Sequence, residues 1–184
     1  MSEVILEMSE KMEKSVEAFK YELSKVRTGR ASLALLDGIS VASYGSTMPL
    51  NQVSTITIPE SRMIAIQPWD PQVIGAIEKA ILKSDIGLTP VNDGKIIRLN
   101  IPQLTEERRT ELVKQVKKVA EEFRVAIRNV RREAIDILKK QKKDKDISED
   151  ELFKLQDEAQ SETNDYIAQI DTITASKEKE VMAV

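Results

Sequence analysis

The feature that most constrains the fold is a long stretch, residues 105–143, that contains neither glycine nor proline. Apolar residues recur along it every three or four positions, which is the spacing of a helix with one apolar face. At about 1.5 Å per residue, such a helix would be roughly 60 Å long. A helix of this kind is not stable alone, so it must bury that face against other helices. The predicted face consists of Leu112, Val116, Val119, Phe123, Ala126, Val130, Ala134 and Ile137.

Two other segments, one at each end of the chain, have the same spacing. The first carries Ile5, Met8, Met12, Val16, Phe19, Leu23 and Val26, and Thr28 and Gly29 are predicted to end it. The last carries Leu152, Leu155, Ala159, Tyr166, Ile170, Ile173 and Val181. It opens at residues 148–151 with the pattern of a capping box. The link of residues 144–147 is short, which favours antiparallel neighbours. The three faces predict an elongated three-helix bundle.

The middle of the chain is of a different kind. Short runs rich in Ile, Val and Thr predict strands at residues 39–44, 53–58, 63–67 and 96–101. Between the third and the fourth, Asp70 and Pro71 predict the start of a helix. Its buried face would be Val73, Ile74, Ile77 and Ile81, and Trp69 is expected to pack at the edge of the same core.

We therefore predict an α+β protein in two domains. A discontinuous three-helix bundle comprises residues 1–29 and 105–184, and a small β/α/β domain, residues 30–104, is inserted into it. Both crossings must lie near one end of the bundle. Two short covalent links would permit hinge motion, while a fixed, packed interface is the alternative that the pattern leaves open.

The composition excludes several classes of site. The chain has no cysteine and no histidine, which excludes disulfides, zinc–sulfur sites and the catalytic triads built on histidine. The usual glycine-rich phosphate loops are absent too. No run of about 18 apolar residues predicts a membrane span, and the N-terminus resembles neither a signal nor a transit peptide. We expect a cytoplasmic protein that is not an enzyme and has no cofactor and no metal.

Charge is sorted along the chain. Residues 105–145 hold 14 Lys/Arg and 8 Asp/Glu, whereas residues 146–184 hold 3 Lys/Arg and 11 Asp/Glu. On a helical wheel at about 100° per residue, the basic residues fall on one side of the apolar face and most acidic ones opposite. The basic side carries Lys114, Lys117, Arg124, Arg128, Arg131, Arg132, Lys139 and Lys142, with Glu121 as an exception among them.

An arginine stripe on a rigid helix is a candidate surface for a phosphate backbone, because the planar guanidinium suits phosphate oxygens. Arg27 and Arg30, at the end of the first helix, add two more cations. The alternative is that the stripe is solvated or pairs with the acidic third helix. With a net charge of −3 and 4% aromatic residues, broad nonspecific binding is not expected. The pattern favours docking on one shaped, phosphate-rich surface.

Several segments resemble those of one family. They are Val-Arg-Thr-Gly-Arg-Ala-Ser at residues 26–32 with Leu-Leu-Asp at 35–37, Ser-Asp-Ile-Gly-Leu-Thr-Pro at 84–90, Leu-Thr-Glu-Glu-Arg-Arg at 104–109, Arg-Asn-Val-Arg-Arg at 128–132 and Asp-Ile-Ser-Glu-Asp at 146–150. In order and spacing they are similar to the ribosome recycling factors over essentially the whole chain. Leu33 stands where that family usually has proline. Loss of that proline would loosen the hinge exit, because proline fixes φ. Thr89 replaces the more usual asparagine.

The resemblance implies an L-shaped molecule of tRNA-like outline, with the bundle as the long arm. It implies a monomer that binds the 70S ribosome at large-subunit rRNA, touches no membrane, and splits post-termination ribosomes with elongation factor G and GTP. The implied rRNA contacts are Arg27, Arg30, Arg109, Arg128, Arg131 and Arg132, and the stripe adds Arg124. The implied interdomain hinge is Gly29, Arg30, Ala31, Pro102, Gln103, Leu104 and Thr105.

Two rival interpretations belong to other classes. A coiled-coil scaffold would use the stripe to bind an acidic protein partner. This interpretation predicts that the protein is a dimer and does not bind ribosomes. A hydrolase built on carboxylates would need a pocket with a raised carboxylate pKa, and no residue spacing in the chain points to one.

Overall fold

A computed structural model describes residues 2–183. The chain falls into two compact units. The helical unit runs through Val26 and resumes at Glu106, and the middle unit is Arg27–Thr105. The boundaries expected from the sequence lay between residues 29 and 30 and between 104 and 105.

The fold is α+β, as predicted, and its elements over residues 2–183 are as follows. The helices are α1 (Glu3–Ser24), α2 (Ile74–Lys83), α3 (Glu106–Lys143) and α4 (Glu149–Met182). The strands are β1 (Ser40–Ser43), β2 (Ser46–Pro49), β3 (Ser54–Glu60), β4 (Met63–Pro68), β5 (Pro90–Asn92) and β6 (Ile97–Asn100). Short 3-10 turns cover Leu33–Leu36, Leu50–Gln52 and Pro71–Val73. None of these helices is both long and apolar enough to cross a membrane.

Helices α3 and α4 are antiparallel, and cross-helix contacts define their register. Moving along the pair, these contacts are Arg124 with Asp171, Arg131 with Gln160, and Lys142 with Glu149. Helix α1 runs antiparallel to α3 and therefore parallel to α4, which it also contacts through the hydrogen bond from Ser9 to Glu162. The α1–α3 contacts are Lys11 with Glu133 at 3.6 Å, and Phe19 with Phe123 at 5.3 Å between ring centroids. The short link between the second and third long helices therefore produced the antiparallel pair that was predicted.

The turn between α3 and α4 carries two helix-end motifs. Ser148 Oγ accepts a hydrogen bond from the Glu151 N–H, and the Glu151 carboxylate accepts one from the Ser148 N–H. The predicted capping box is thus confirmed. At the end of α3, Lys145 has a left-handed φ of 64°. The N–H groups of Lys145 and Asp146 bond to the carbonyls of Lys142 and Gln141, the Schellman arrangement that closes a helix.

Helix α1 ends earlier than predicted, at Ser24. The N–H groups of Lys25 and Val26 bond to carbonyls three residues back, which tightens the last turn. Gly29, with a left-handed φ of 76°, lies beyond that turn. It redirects the chain after the helix has ended.

The buried face of α3 is rotated from the predicted one. Its buried residues are Leu112, Val116, Ala120, Ile127, Ala134 and Leu138. Ile137, assigned to this face from the sequence, is 42% exposed, and that assignment was wrong. On a wheel at about 100° per residue, Ile127 and Leu138 lie roughly 40–60° to one side of Phe123, and Ile137 about 40° to the other. Packing against both α1 and α4 moves the face toward the arginines.

Helix α4 buries two residues that the apolar pattern did not include. Leu152, Ala159, Ile170 and Val181 are buried as predicted, and Leu155, Tyr166 and Ile173 are half-buried. Thr163 and Thr174 are buried as well. Their hydroxyls donate to the carbonyls of Ala159 and Ile170, at 2.6 and 2.7 Å. These bonds satisfy the hydroxyls inside an apolar core.

The middle unit is built on an antiparallel sheet. Over the described residues its strand order is β3-β4-β6-β5, with β1 and β2 as a separate hairpin. Ile66 of β4 pairs with Ile56 on one side and Ile97 on the other. Ile77 and Ile81 of α2 pack into the same core. Strands β2 and β5 were not predicted, because each is short and has a proline at one end.

The start of α2 follows the prediction, whereas the environment of Trp69 does not. The Asp70 carboxylate accepts a hydrogen bond from the Gln72 N–H at 2.9 Å, and Pro71 begins a 3-10 turn that leads into α2. Trp69 is 65% exposed, so its expected packing at the core edge was wrong. The buried positions of β4 alternate and include Pro68, which turns the next residue outward. The Trp69 indole N–H donates to Thr55 Oγ1 at 2.8 Å.

The rotated face of α3 predicts a contrast between neighbouring residues. Leu138→Ala should destabilise the protein by about 2–5 kcal/mol, because it leaves a cavity in the core. Ile137→Ala, its matched control, should cost less than about 1 kcal/mol. Urea unfolding followed by circular dichroism measures both. A larger cost at Ile137 would restore the face predicted from the sequence.

Candidate nucleic-acid interface

Four arginines lie along one edge of α3. The arginine edge consists of Arg124, Arg128, Arg131 and Arg132. Because the buried face is rotated toward these residues, the edge borders the core and faces α4. Arg124, the most enclosed of the ion-paired arginines, has a side chain that is 22% exposed. The structure therefore brings together four of the residues that the sequence predicted as RNA contacts.

Carboxylates hold the first two arginines of the edge. Nε and Nη2 of Arg124 both donate to Asp171 Oδ1 of α4, at 2.8 and 2.6 Å. Glu121 accepts from Arg124 at 3.2 Å and from Arg128 at 3.1 Å. The hydrogen bonds from Arg128 and Arg124 hold the pKa of the Glu121 carboxyl below its usual value. The alternative of pairing with the acidic third helix therefore describes Arg124, whereas Arg128 pairs with Glu121 of its own helix.

The other two arginines have no carboxylate partner among residues 2–183. Arg131 Nη1 donates to the amide oxygen of Gln160 at 2.5 Å, and the Gln160 amide N–H₂ donates in turn to Asn164 at 2.8 Å. Next to Arg131 is a groove of about 420 Å³ between α3 and α4. It is lined by Arg131, Arg132, Ile135, Asp136, Lys139, Gln156 and Gln160. Three cations and one carboxylate give this groove a positive charge.

The remaining predicted contacts lie elsewhere. Arg109 lies in the first turns of α3, in the helical unit. Arg27 and Arg30 are exposed and belong to the middle unit. Arg27 Nη2 donates to the backbone carbonyl of Asp85 at 3.1 Å. This bond fastens Arg27 to the turn that includes Gly87, whose Cβ position would lie 3.6 Å from Arg27 Nη1.

The residues predicted as a hinge form two adjacent segments within the middle unit. A Cβ added to Gly29 would lie 3.1 Å from Leu104 Cγ, so the outgoing and returning segments touch there. The Ala31 N–H bonds to the Ser61 carbonyl at 2.7 Å, and the Ile101 N–H to the Arg62 carbonyl at 2.8 Å. Both segments are thus fastened to the turn between β3 and β4.

Sequence reasoning missed the partners of the arginine edge. Glu121 stood out as an acidic exception, and its spacing of three and seven residues from Arg124 and Arg128 could have indicated the pairing. Asp171 and Gln160 had no such signal, since their positions depend on the register of α3 against α4. Among the described residues, no group of three or more acidic side chains is arranged to hold a metal ion.

The fold and the site together define a class of protein: an α+β protein whose long helix carries arginines along one edge. A family model described as ribosome recycling factor matches residues 19–182. The ribosome-recycling factor of Desulfotalea psychrophila is 76% identical over 184 residues, 100% of both chains. That of Bacillus subtilis is 56% identical over 182 residues, 99% of this chain and 98% of that one. This chain belongs to the ribosome recycling factor family.

Solved structures agree with this assignment. A solution structure of a ribosome recycling factor matches with a TM-score of 0.79 and 44% identity, covering 98% of this chain and 96% of that one. A second match is the ribosome recycling factor of T. thermophilus. That structure describes this factor and E. coli elongation factor G bound to the E. coli post-termination complex. Its TM-score is 0.66 at 47% identity, with 98% of both chains covered.

The pair between Arg124 and Asp171 should contribute modestly to stability. Because Asp171 is 56% exposed, we expect a coupling energy of about 0.5–1 kcal/mol that falls as salt is added. A double-mutant cycle with Arg124→Ala and Asp171→Ala measures this coupling. The control cycle pairs Arg132→Ala with Asp171→Ala and should give no coupling, because Arg132 lies about two helical turns away. Equal coupling in both cycles would contradict the register.

Gly29→Ala should loosen the middle unit more than Gly38→Ala does. Both glycines have left-handed φ angles, 76° and 80°, so each substitution costs roughly 1–2 kcal/mol of backbone strain. Only at Gly29 does the new Cβ meet a neighbour, Leu104. Hydrogen exchange in β4 and β6 measures the difference. The difference in exchange rate between the two variants should shrink in a Leu104→Ala background. An unchanged difference would mean that the contact with Leu104 is unimportant.

Proposed function

We propose that this protein, with elongation factor G and GTP, splits post-termination ribosomes into subunits, and that it docks on large-subunit rRNA through the arginine edge. Membership of the ribosome recycling factor family supports the first part. The second rests on one observation: Arg131 and Arg132 lie beside Lys139 at an open groove, with no carboxylate partner among the described residues. In a chain of net charge −3, such a local excess of cations is the surface best suited to phosphate.

The proposed rRNA contacts are the predicted ones. They are Arg27, Arg30, Arg109, Arg124, Arg128, Arg131 and Arg132. Within this set, Arg131 and Arg132 make the primary contacts, because they share one open groove with Lys139 and binding a phosphate there costs them no ion pair. Arg124 and Arg128 must exchange carboxylates for phosphate oxygens. Such an exchange is close to neutral in energy at an exposed site, so these two add specificity of position more than affinity.

The proposed mechanism is mechanical. Elongation factor G supplies the hydrolysis of GTP, and this chain supplies an anchored bundle and a middle unit that moves as a body. The hinge is proposed at Gly29, Arg30, Ala31, Pro102, Gln103, Leu104 and Thr105, in the two end segments of the middle unit, next to the points where the chain crosses between the units. Two short segments connect the units covalently, and such links allow rotation without unfolding either core. The protein acts as a monomer, and no step of this mechanism requires a catalytic residue of its own.

The experiment measures dissociation of post-termination ribosomes by elongation factor G and GTP, with and without this protein. Subunits should appear only when all components are present. The variant Arg128→Ala/Arg131→Ala should bind ribosomes about 10- to 100-fold more weakly and with a smaller salt dependence, because two phosphate contacts are lost. Light scattering follows dissociation, and sedimentation at several salt concentrations follows binding.

Arg108→Ala is the matched control. It removes an arginine of the same helix that lies outside the edge and pairs with Glu111 at 2.8 Å, so binding should be unchanged. Unaltered binding of the double variant, with its fold intact, would show that the arginine edge is not the docking surface. If wild-type protein neither binds nor splits ribosomes with a matched elongation factor, the proposal fails and the scaffold interpretation replaces it.

A further inference from the structure

The arginine edge contains arginines in two electrostatic states. Arg124 and Arg128 are bonded to the carboxylates of Asp171 and Glu121, so their charge is locally compensated. Arg131 is held just as closely, but by the uncharged amide oxygen of Gln160. A neutral acceptor orients a guanidinium without cancelling its charge. The difference between these partners decides which arginine remains available to an anion.

Helix α4 is an unexpected place for neutral side chains. It belongs to the segment with 11 Asp/Glu and 3 Lys/Arg, and several of its carboxylates are exposed. Where it faces the groove, however, it presents Gln156 and Gln160. Asp136 of α3 also lines the groove, against the three cations Arg131, Arg132 and Lys139. The acidic helix is therefore neutral at the point where its partner helix is basic and open.

We propose that this groove binds a phosphate of an RNA backbone, and that Gln156 and Gln160 of α4 belong to the site. Gln160 is a positioning residue, which holds the Arg131 guanidinium toward the groove while leaving its charge uncompensated. Gln156 offers an amide N–H₂ that can donate to a phosphate oxygen. The inference rests on the proposed function, since it names the atoms of α4 that complete the docking surface on α3.

The geometry of the groove suits a phosphate. A guanidinium can donate two parallel hydrogen bonds to one phosphate, and Arg131 keeps nitrogen atoms beyond the Nη1 that Gln160 engages. Lys139 and Arg132 supply further charge along the same groove. Gln160 is itself held by Asn164 at 2.8 Å, so the orientation of its amide is defined before any ligand arrives.

The sharpest test is Gln160→Glu, which keeps the shape and the acceptor oxygen but adds a charge. The introduced carboxylate should pair with Arg131 as Glu121 pairs with Arg128. Binding to purified large ribosomal subunits should then fall to within about threefold of the Arg131→Ala variant. The slope of log K against log salt should drop by about 0.7–0.9, the value for one lost phosphate contact. Thermal stability should be unchanged or slightly raised.

Two further variants separate positioning from packing. Gln160→Ala should weaken binding about 3- to 10-fold with little change in salt slope, because the charge of Arg131 remains while its orientation is lost. Gln169→Glu, on the exposed surface of the same helix outside the groove, adds the same charge and should leave binding unchanged. Sedimentation with large subunits over a range of potassium chloride concentrations measures all variants.

The outcomes are distinguishable. If Arg131→Ala weakens binding and Gln160→Glu does not, Gln160 has only a structural role and this inference is overturned, while the proposed docking surface stands. If Arg131→Ala itself binds like wild type, the docking surface of the proposed function is wrong. If Gln169→Glu weakens binding as much as Gln160→Glu does, the effect is one of net charge, and the site at the groove is overturned.

Discussion

The antiparallel register of α3 and α4 is the constraint on which the rest of the helical unit depends. Neither helix can remain folded alone, since each has one apolar face. The capping box at Ser148 and the left-handed Lys145 close the turn between them. That register then determines which side chains of the acidic helix stand opposite each arginine.

Core packing and surface chemistry are coupled through the rotation of α3. Because α3 packs against both α1 and α4, the centre of its buried face lies roughly 30° from the direction of Phe123 on the helical wheel, on the arginine side. Arg124 and Arg131 are consequently rim residues of the core that bond to side chains of α4. A rim arginine is more ordered than one on an open face, and less entropy is lost when it binds an anion.

Much of the architecture could be predicted from the sequence, because it depends on periodicity and on local chemistry. The capping box, the Asp70–Pro71 helix start and the inserted β/α unit follow from residues that are neighbours in the chain. Ile137 and Trp69 were misassigned because burial depends on which neighbour an element meets. The partners Asp171 and Gln160 depend on a register between distant segments, which a single sequence does not encode in any local pattern.

If the protein docks on RNA as proposed, an acidic chain must confine its positive surface, and the pairing along the arginine edge describes how this one would do so. Asp171 of α4 and Glu121 of α3 compensate the charges of Arg124 and Arg128, which reduces their long-range attraction to arbitrary phosphates. Glutamine opposite Arg131 leaves its charge uncompensated beside Arg132 and Lys139. In the proposed docking, a surface must present phosphate at the groove and replace the carboxylates beside it, so that specificity would arise from compensated charge as much as from exposed charge.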